Sequence, residues 1–224
     1  MQEFPRTMVG GVSVPRLIIG TNWFLGYSHT SLAKDKFIKD FQNRKNVADI
    51  MTTFFEHGIN AVMGMLTPLM VDAVKEAEDR TGKKGIMIVT PQFNIPGFNA
   101  GPGQDAEKVF DDCAKAGATF CFPHQCITDT LIDKMSRTIR QMDSISAMIR
   151  ERGMIPGLST HMPEAVQIAD ESGADVETYI QLYNAYGFLM QVEVDWVMTV
   201  IHRAKKPVMT LKPPAAGRLI PVVE

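Results

Sequence analysis

Residues 153–173 read GMIPGLSTHMPEAVQIADESG. An apolar run breaks into Ser159, Thr160 and His161, Pro163 then opens a stretch of helical apolar spacing, and Gly173 closes it. Proline suits the first helical turn, and glycine supplies the left-handed residue just past the last one. The segment therefore reads as strand, polar strand end, helix and glycine stop.

The same event recurs along the chain. Strand-like runs fall at 15–22, 59–65, 85–92, 118–125, 154–161, 176–184 and 207–213, with helical spacing at 47–57, 68–80, 105–116, 129–152, 163–172 and 192–204. Gly58, Gly82, Gly117, Gly153, Gly173 and the pair Lys205–Lys206 stand at the helix-to-strand joins. The runs are continuously apolar rather than alternating, as strands buried on both faces of a parallel sheet must be. Seven such strands with crossover helices, and no Rossmann glycine fingerprint, predict an α/β fold of the TIM (β/α)8-barrel type. About seven βα units are visible in one domain over 1–224, and the eighth is read as absent from this chain. An open doubly wound sheet is the alternative. A hairpin at 8–12 is too short to be the missing strand.

The 224 residues are 45% hydrophobic and 21% charged with net charge -2, enough apolar sequence for a sizeable core and no electrostatic case for nucleic acid or an anionic membrane as partner. No apolar run is long enough to span a bilayer, and residues 1–6 are no signal peptide. Cys113, Cys121 and Cys126 follow no zinc-ribbon or CxxC spacing, which suits a reduced, cytoplasmic protein. Exposed edges of an unfinished sheet favour a homo-oligomer.

In barrels of this type, chemistry gathers where strands run out into the following loops. Those positions hold Asn22 and Trp23, Gln92 and Asn94, His124 and Cys126, Ser159 and His161, Tyr183 and Asn184, and Lys212. The opposite joins hold only glycine and lysine, and this asymmetry predicts a small-molecule site at the strand ends. Asn22, Trp23, Gln92 and Asn94 are candidate substrate contacts; His124, His161, Lys212 and Tyr183 are candidate acid–base groups. Lys212, at the end of a buried strand, suits a nucleophile, a base or an anion holder. The small residues of 212–219, with Gly217 and Arg218, suit a phosphate or carboxylate. His29, His124 and His161 could together ligate zinc or another transition metal, although no HxH or HExxH spacing marks such a site. A strand-end histidine can equally serve only to bond a loop, and 99–104 reads as a flexible loop or lid.

Several stretches are similar to the aldo/keto reductase superfamily, NADP-dependent oxidoreductases on a TIM barrel. GGVSVPRLIIGT (10–21) resembles their opening segment, EHGIN (56–60) the phrase before their second strand, and IRERGMIPGLSTHMPEAV (149–166) with IQLYNAYGF (180–188) their fifth and sixth strand units. LKPPAAGRL (211–219) resembles the loop after their seventh strand. The resemblance implies NADP(H), with Ser159, Asn184, Lys212, Gly217 and Arg218 as cofactor contacts. Of that family's Asp, Tyr, Lys and His tetrad only the histidine matches, as His124. Met63 stands at the aspartate position, no tyrosine follows it, and the lysine falls near Pro91 or Gln92. Without that tyrosine and lysine the usual proton donor is gone. The expected function is thus a divergent aldo/keto-reductase-like enzyme acting on a small carbonyl or sugar-like metabolite. The alternatives are a lyase or isomerase built on His124, His161 and Lys212, and a non-catalytic ligand-binding barrel.

Overall fold

A computed structural model describes residues 4–220. The chain groups into two compact units: one from the N-terminal part up to Thr90 with Lys115–Phe120, the other from Pro91–Ala114 and the chain from Cys121 onward.

The first unit opens with an antiparallel hairpin of β1 (Arg6–Val9) and β2 (Val12–Pro15), closed by Gly10 and Gly11 at φ 52° and 80°. Two left-handed central residues match the twist of paired strands, which is why a glycine pair stands there. Then follow β3 (Ile19–Gly20), α1 (Leu32–Phe41), α2 (Arg44–Glu56), β4 (Ala61–Gly64), α3 (Pro68–Thr81) and β5 (Ile86–Val89). β3, β4 and β5 are parallel, with Ile19 opposite Val62 and Ala61 opposite Ile86. All four residues of β5 are buried, as its continuous apolar sequence predicts. α2 and α3 bury Val47, Ala48, Met51 and Phe55, and Met70, Ala73, Val74 and Ala77, at spacings of one to four that make a single apolar stripe on each.

α1 falls in a stretch that the sequence shows as a loop. Its N-cap is sound: Ser31 accepts the Lys34 N–H at 3.2 Å. Its apolar residues are another matter, since Leu32, Phe37 and Phe41 are exposed and only Ile38 is buried. No inward stripe exists to be read.

After β5 follow α4 (Ala106–Lys115), β6 (Phe120–Cys121), α5 (Gln125–Leu131), β7 (Ile132–Asp133), β8 (Thr138–Ile139), α6 (Met142–Glu151), β9 (Ile155–Pro156), β10 (Leu158–Thr160), α7 (Pro163–Ser172), β11 (Tyr179–Leu182), α8 (Val194–Arg203), β12 (Val208–Leu211) and a short 3-10 turn, Ala215–Gly217; from α5 on, all belong to the second unit. The helix expected over 129–152 is instead α5, an antiparallel β7–β8 hairpin and α6. The cause is local. Asp133 accepts the N–H groups of Met135 and Ser136 at 3.0 and 3.1 Å, and Arg137 and Gln141 are left-handed at φ 53° and 61°. An aspartate that captures backbone donors two and three residues ahead competes with the helix ladder.

Between β9 and β10 lies Gly157, where a Cβ would fall 2.2 Å from the Phe122 ring. The strand is interrupted there because backbone and aromatic ring share one space. β10, β11 and β12 are parallel and in register, with Leu158, Tyr179 and Val208 abreast. The βα alternation and parallel pairing predicted from sequence are therefore present. The closed barrel is not found: among the described residues no ladder returns the parallel strands to a ring. No helix among the described residues is long and apolar enough to cross a membrane.

Candidate active site

Three strands of the second unit define which side chains face which way. The Tyr179 hydroxyl donates to Asp170 on α7 at 2.6 Å, so α7 covers the face carrying Leu158, Tyr179 and Val208. Successive strand residues alternate faces. Thr160, Gln181 and Thr210 share the α7 side, while Ser159, Ile180 and Met209 take the other. Ser159 is buried there, 4% exposed.

His124 follows β6 and caps α5 with its ring. Its Nδ1 accepts the Cys126 N–H at 3.3 Å and lies 3.0 Å from the Cys126 thiol. A ring nitrogen that accepts from two donors is unprotonated, so the neutral imidazole carries its proton on Nε2. Burial, and next the charge of Lys212, hold its pKa below the usual histidine value. At neutral pH the ring is uncharged and presents Nε2–H as a donor. Burial raises the Cys126 pKa, which keeps it a thiol.

Lys212 follows β12 with φ 61°, a left-handed conformation uncommon for a residue with a side chain. It is half-buried, and burial lowers its pKa. Among the described residues its Nζ has neither a hydrogen-bond nor an ion-pair partner. Other lysines show what an ammonium with acceptors in reach does in this chain. Lys83 donates to the Phe55 and Glu56 carbonyls, Lys205 to Asp170 O and Lys206 to Ala174 O, all at 2.8–2.9 Å. Lys212 closes no helix. The repulsion between Lys212 and His124 falls on the imidazole because the lysine is charged first as pH drops.

Asp129 is a member of this neighbourhood that the sequence does not reveal. It lies inside α5 at a position that reads as polar helix surface. Its carboxylate accepts the Thr160 hydroxyl and, at 3.4 Å, the His161 N–H. Burial pushes its pKa up to about 6, against the lowering effect of those two donors. Thr160 also accepts the Met162 N–H at 2.9 Å, so the end of β10 is fixed from both directions. His161 enters this cluster through its backbone.

Other sequence candidates are spent on local structure. The Asn184 amide bonds Phe188 through both ends, donating at 3.0 Å and accepting at 2.8 Å. Asn94 donates to Gly101 O at 3.0 Å and accepts the Ala100 N–H at 2.7 Å, which pins the loop read as a lid. Arg218 lies 3.8 Å over the Phe188 ring and donates to Ala215 O at 3.2 Å. Gly217 sits in the 3-10 turn at φ 88°. Tyr183 follows β11, half-buried, with its N–H on Leu211 O at 3.1 Å. Gln92 follows β5 and is also half-buried.

Asn22, Trp23 and His29 belong to the first unit. Asn22 Nδ2 lies 3.2 Å from His29 Nε2, and Lys34 stands 4.6 Å over the Trp23 ring. The metal centre of His29, His124 and His161 is not assembled: among the described residues no three His, Cys, Asp or Glu side chains are grouped to hold an ion. The Nδ1 of His124 is in any case committed to its own helix cap.

No family model matches the sequence, and no curated protein is similar to it in sequence. Similarity appears among solved structures. A crystal structure of a protein assigned as a 2,5-diketo-D-gluconic acid reductase B aligns over 97% of this chain and 68% of its own, with TM-score 0.58 and 14% identity. At that identity the likeness shows the fold alone, an α/β arrangement of parallel strands and helices. Rhizobium etli pyruvate carboxylase, as a variant crystallised without acetyl coenzyme A, aligns over 92% of this chain and 24% of its own with TM-score 0.45 and 15% identity. The carboxyl transferase domain of the same enzyme aligns over 62% and 24% with TM-score 0.40 and 17% identity. Likenesses that loose carry no argument.

Proposed function

We propose that this chain is a TIM-barrel-type enzyme, distantly akin to the aldo/keto reductases, that activates the carbonyl group of a small anionic metabolite. The observation that carries the reading is Lys212: a half-buried ammonium with no counter-ion among the described residues, whose charge acts on His124. A buried cation is expensive unless something anionic or carbonyl-like meets it. His124 complements it with an Nε2–H fixed by the α5 cap, the geometry required of a neutral donor to a carbonyl oxygen. Together the pair suits loss of a proton from the carbon beside the carbonyl, the step common to many lyases and isomerases.

Reduction with NADP(H) rests on the fold likeness, and the side chains do not fit it. Asn184 and Arg218, two of the expected contacts, are closed on Phe188. Met63 and Gln92 stand where the resemblance would put an acid and a lysine. No step is therefore assigned to a nicotinamide.

The test is exchange of α-protons for deuterium, followed by proton NMR, for a panel of small keto acids and hydroxyaldehydes. At least one should exchange faster with the protein than in buffer. His124→Asn keeps a good helix cap but withdraws the Nε2–H, and should slow that exchange about 10²–10³-fold. Exchange at the buffer rate across the panel refutes the proposal.

A further inference from the structure

We infer that Lys212 works covalently, condensing with the substrate carbonyl to form an imine. The inference rests on the carbonyl reading above and deepens it, by giving the amine a bond to make rather than a charge to offer.

Three features of the molecule carry it. The first is isolation. Where Lys83, Lys205 and Lys206 settle on backbone carbonyls, Lys212 Nζ meets no acceptor among the described residues. An amine that is to attack must keep its lone pair free of both proton and partner, and burial without a carboxylate favours that state. The second is backbone. Lys212, Ala215 and Ala216 have φ of 61°, 50° and 54°, three left-handed residues with side chains within five positions. Such conformations persist only where the surroundings impose them. They turn the chain sharply at the end of β12, and only methyl-bearing or ring residues (Pro213, Pro214, Ala215, Ala216) follow. No carboxylate can therefore reach Lys212 from its own loop. The third is His124, whose Nε2–H is the donor an attacked carbonyl oxygen requires.

The step balances without a redox partner. The neutral Nζ attacks the carbonyl carbon, a C–N bond forms, and the carbonyl π electrons move to oxygen, held by His124 Nε2–H. A proton passes from the new ammonium to that oxygen, giving a carbinolamine. A second proton, taken from solvent, reaches the hydroxyl, which leaves as water while the nitrogen lone pair completes the C=N bond. One amine, one carbonyl and one proton become one iminium and one water. The resulting iminium draws electrons from the neighbouring carbon, which makes its proton acidic.

The experiment traps the imine. The full chain is incubated at neutral pH with pyruvate or glycolaldehyde and sodium cyanoborohydride, and the adduct is located by intact mass and peptide mapping. The expected result is one major adduct, on Lys212, formed at least tenfold faster than on Lys205, absent in Lys212→Arg and unchanged in Lys205→Arg. Slower labelling in His124→Asn is expected as well. Adducts spread over surface lysines, or an unlabelled Lys212 in protein that still exchanges α-protons, would overturn covalent participation while leaving the carbonyl reading intact. Absence of both adduct and exchange would overturn the two together.

Discussion

Asp129 carries the clearest residue-scale consequence. Its carboxyl is pushed up to about 6 from an ordinary 3.8, mainly by burial. The folded protein thus holds this proton over a pH range in which the unfolded chain has released it. Below about 4 both states are protonated and the site costs nothing. As pH rises through 4 to 6 the folded state must ionise a buried group, and stability is lost. A shift of roughly two units corresponds to about 3 kcal/mol, and to less where water still reaches the carboxylate. Asp129→Asn should therefore flatten the fall in melting temperature between pH 4 and 7 relative to the native protein. An unchanged pH profile would show that the carboxyl titrates as a surface group. Nothing in QCITDTL (125–131) announces this, because the groups that meet the carboxylate, Thr160 and His161, lie more than thirty residues away. His124 was legible for the opposite reason: a histidine just past an apolar strand is visible where it stands. Its proton position was not, since that depends on the ring folding back onto Cys126.

At the scale of elements, the sequence was most readable where a helix carried its own start and stop. α7 runs Pro163–Ser172, the predicted 163–172, and α3 runs Pro68–Thr81 against a predicted 68–80. In α3 the reasons are all local: Thr67 accepts the Met70 N–H, Pro68 opens the first turn, and Gly82 closes it at φ 67°. Where side chains override periodicity the reading failed, as at Asp133, whose turn splits one expected helix into a hairpin between two. The β9–β10 joint was hidden too. Its glycine could be read as a turn residue, while the true constraint is the Phe122 ring, just past β6. Gly157→Ala should accordingly destabilise the fold by about 1–3 kcal/mol, the usual range for overpacking. Urea denaturation measures it, and Phe122→Leu in the same chain should recover part of the loss. If Gly157→Ala alone is neutral, the ring has room to move and the joint is not set by that contact.

For the whole molecule, alternation of strands and helices and the parallel pairing followed from apolar runs and glycine stops, because both depend on neighbours in sequence. Closure of the sheet depends on strands at its two extremes, which no local pattern records. The bringing of Lys212 within electrostatic reach of His124, far away in sequence, is a product of the fold of the second unit as a whole. It is also where stability and function should oppose each other. Burial lowers the Lys212 pKa below 10.5, so the unfolded chain binds this proton more tightly than the folded one. The resulting penalty is in full force at neutral pH and is relieved only as pH climbs through the folded pKa towards the unfolded value. The left-handed backbone at the same residue adds to the cost of keeping a lysine there. Lys212→Met preserves the length and apolar stem of the side chain while removing the charge. It should raise unfolding stability at pH 7 by about 0.5–2 kcal/mol, the range of relieved functional strain, and abolish both α-proton exchange and imine trapping. The gain should shrink as pH climbs through the folded pKa of Lys212, where the native amine loses its charge. A methionine variant less stable than the native protein at pH 7 would mean that the ammonium contributes to the fold, and that the site is a structural anchor.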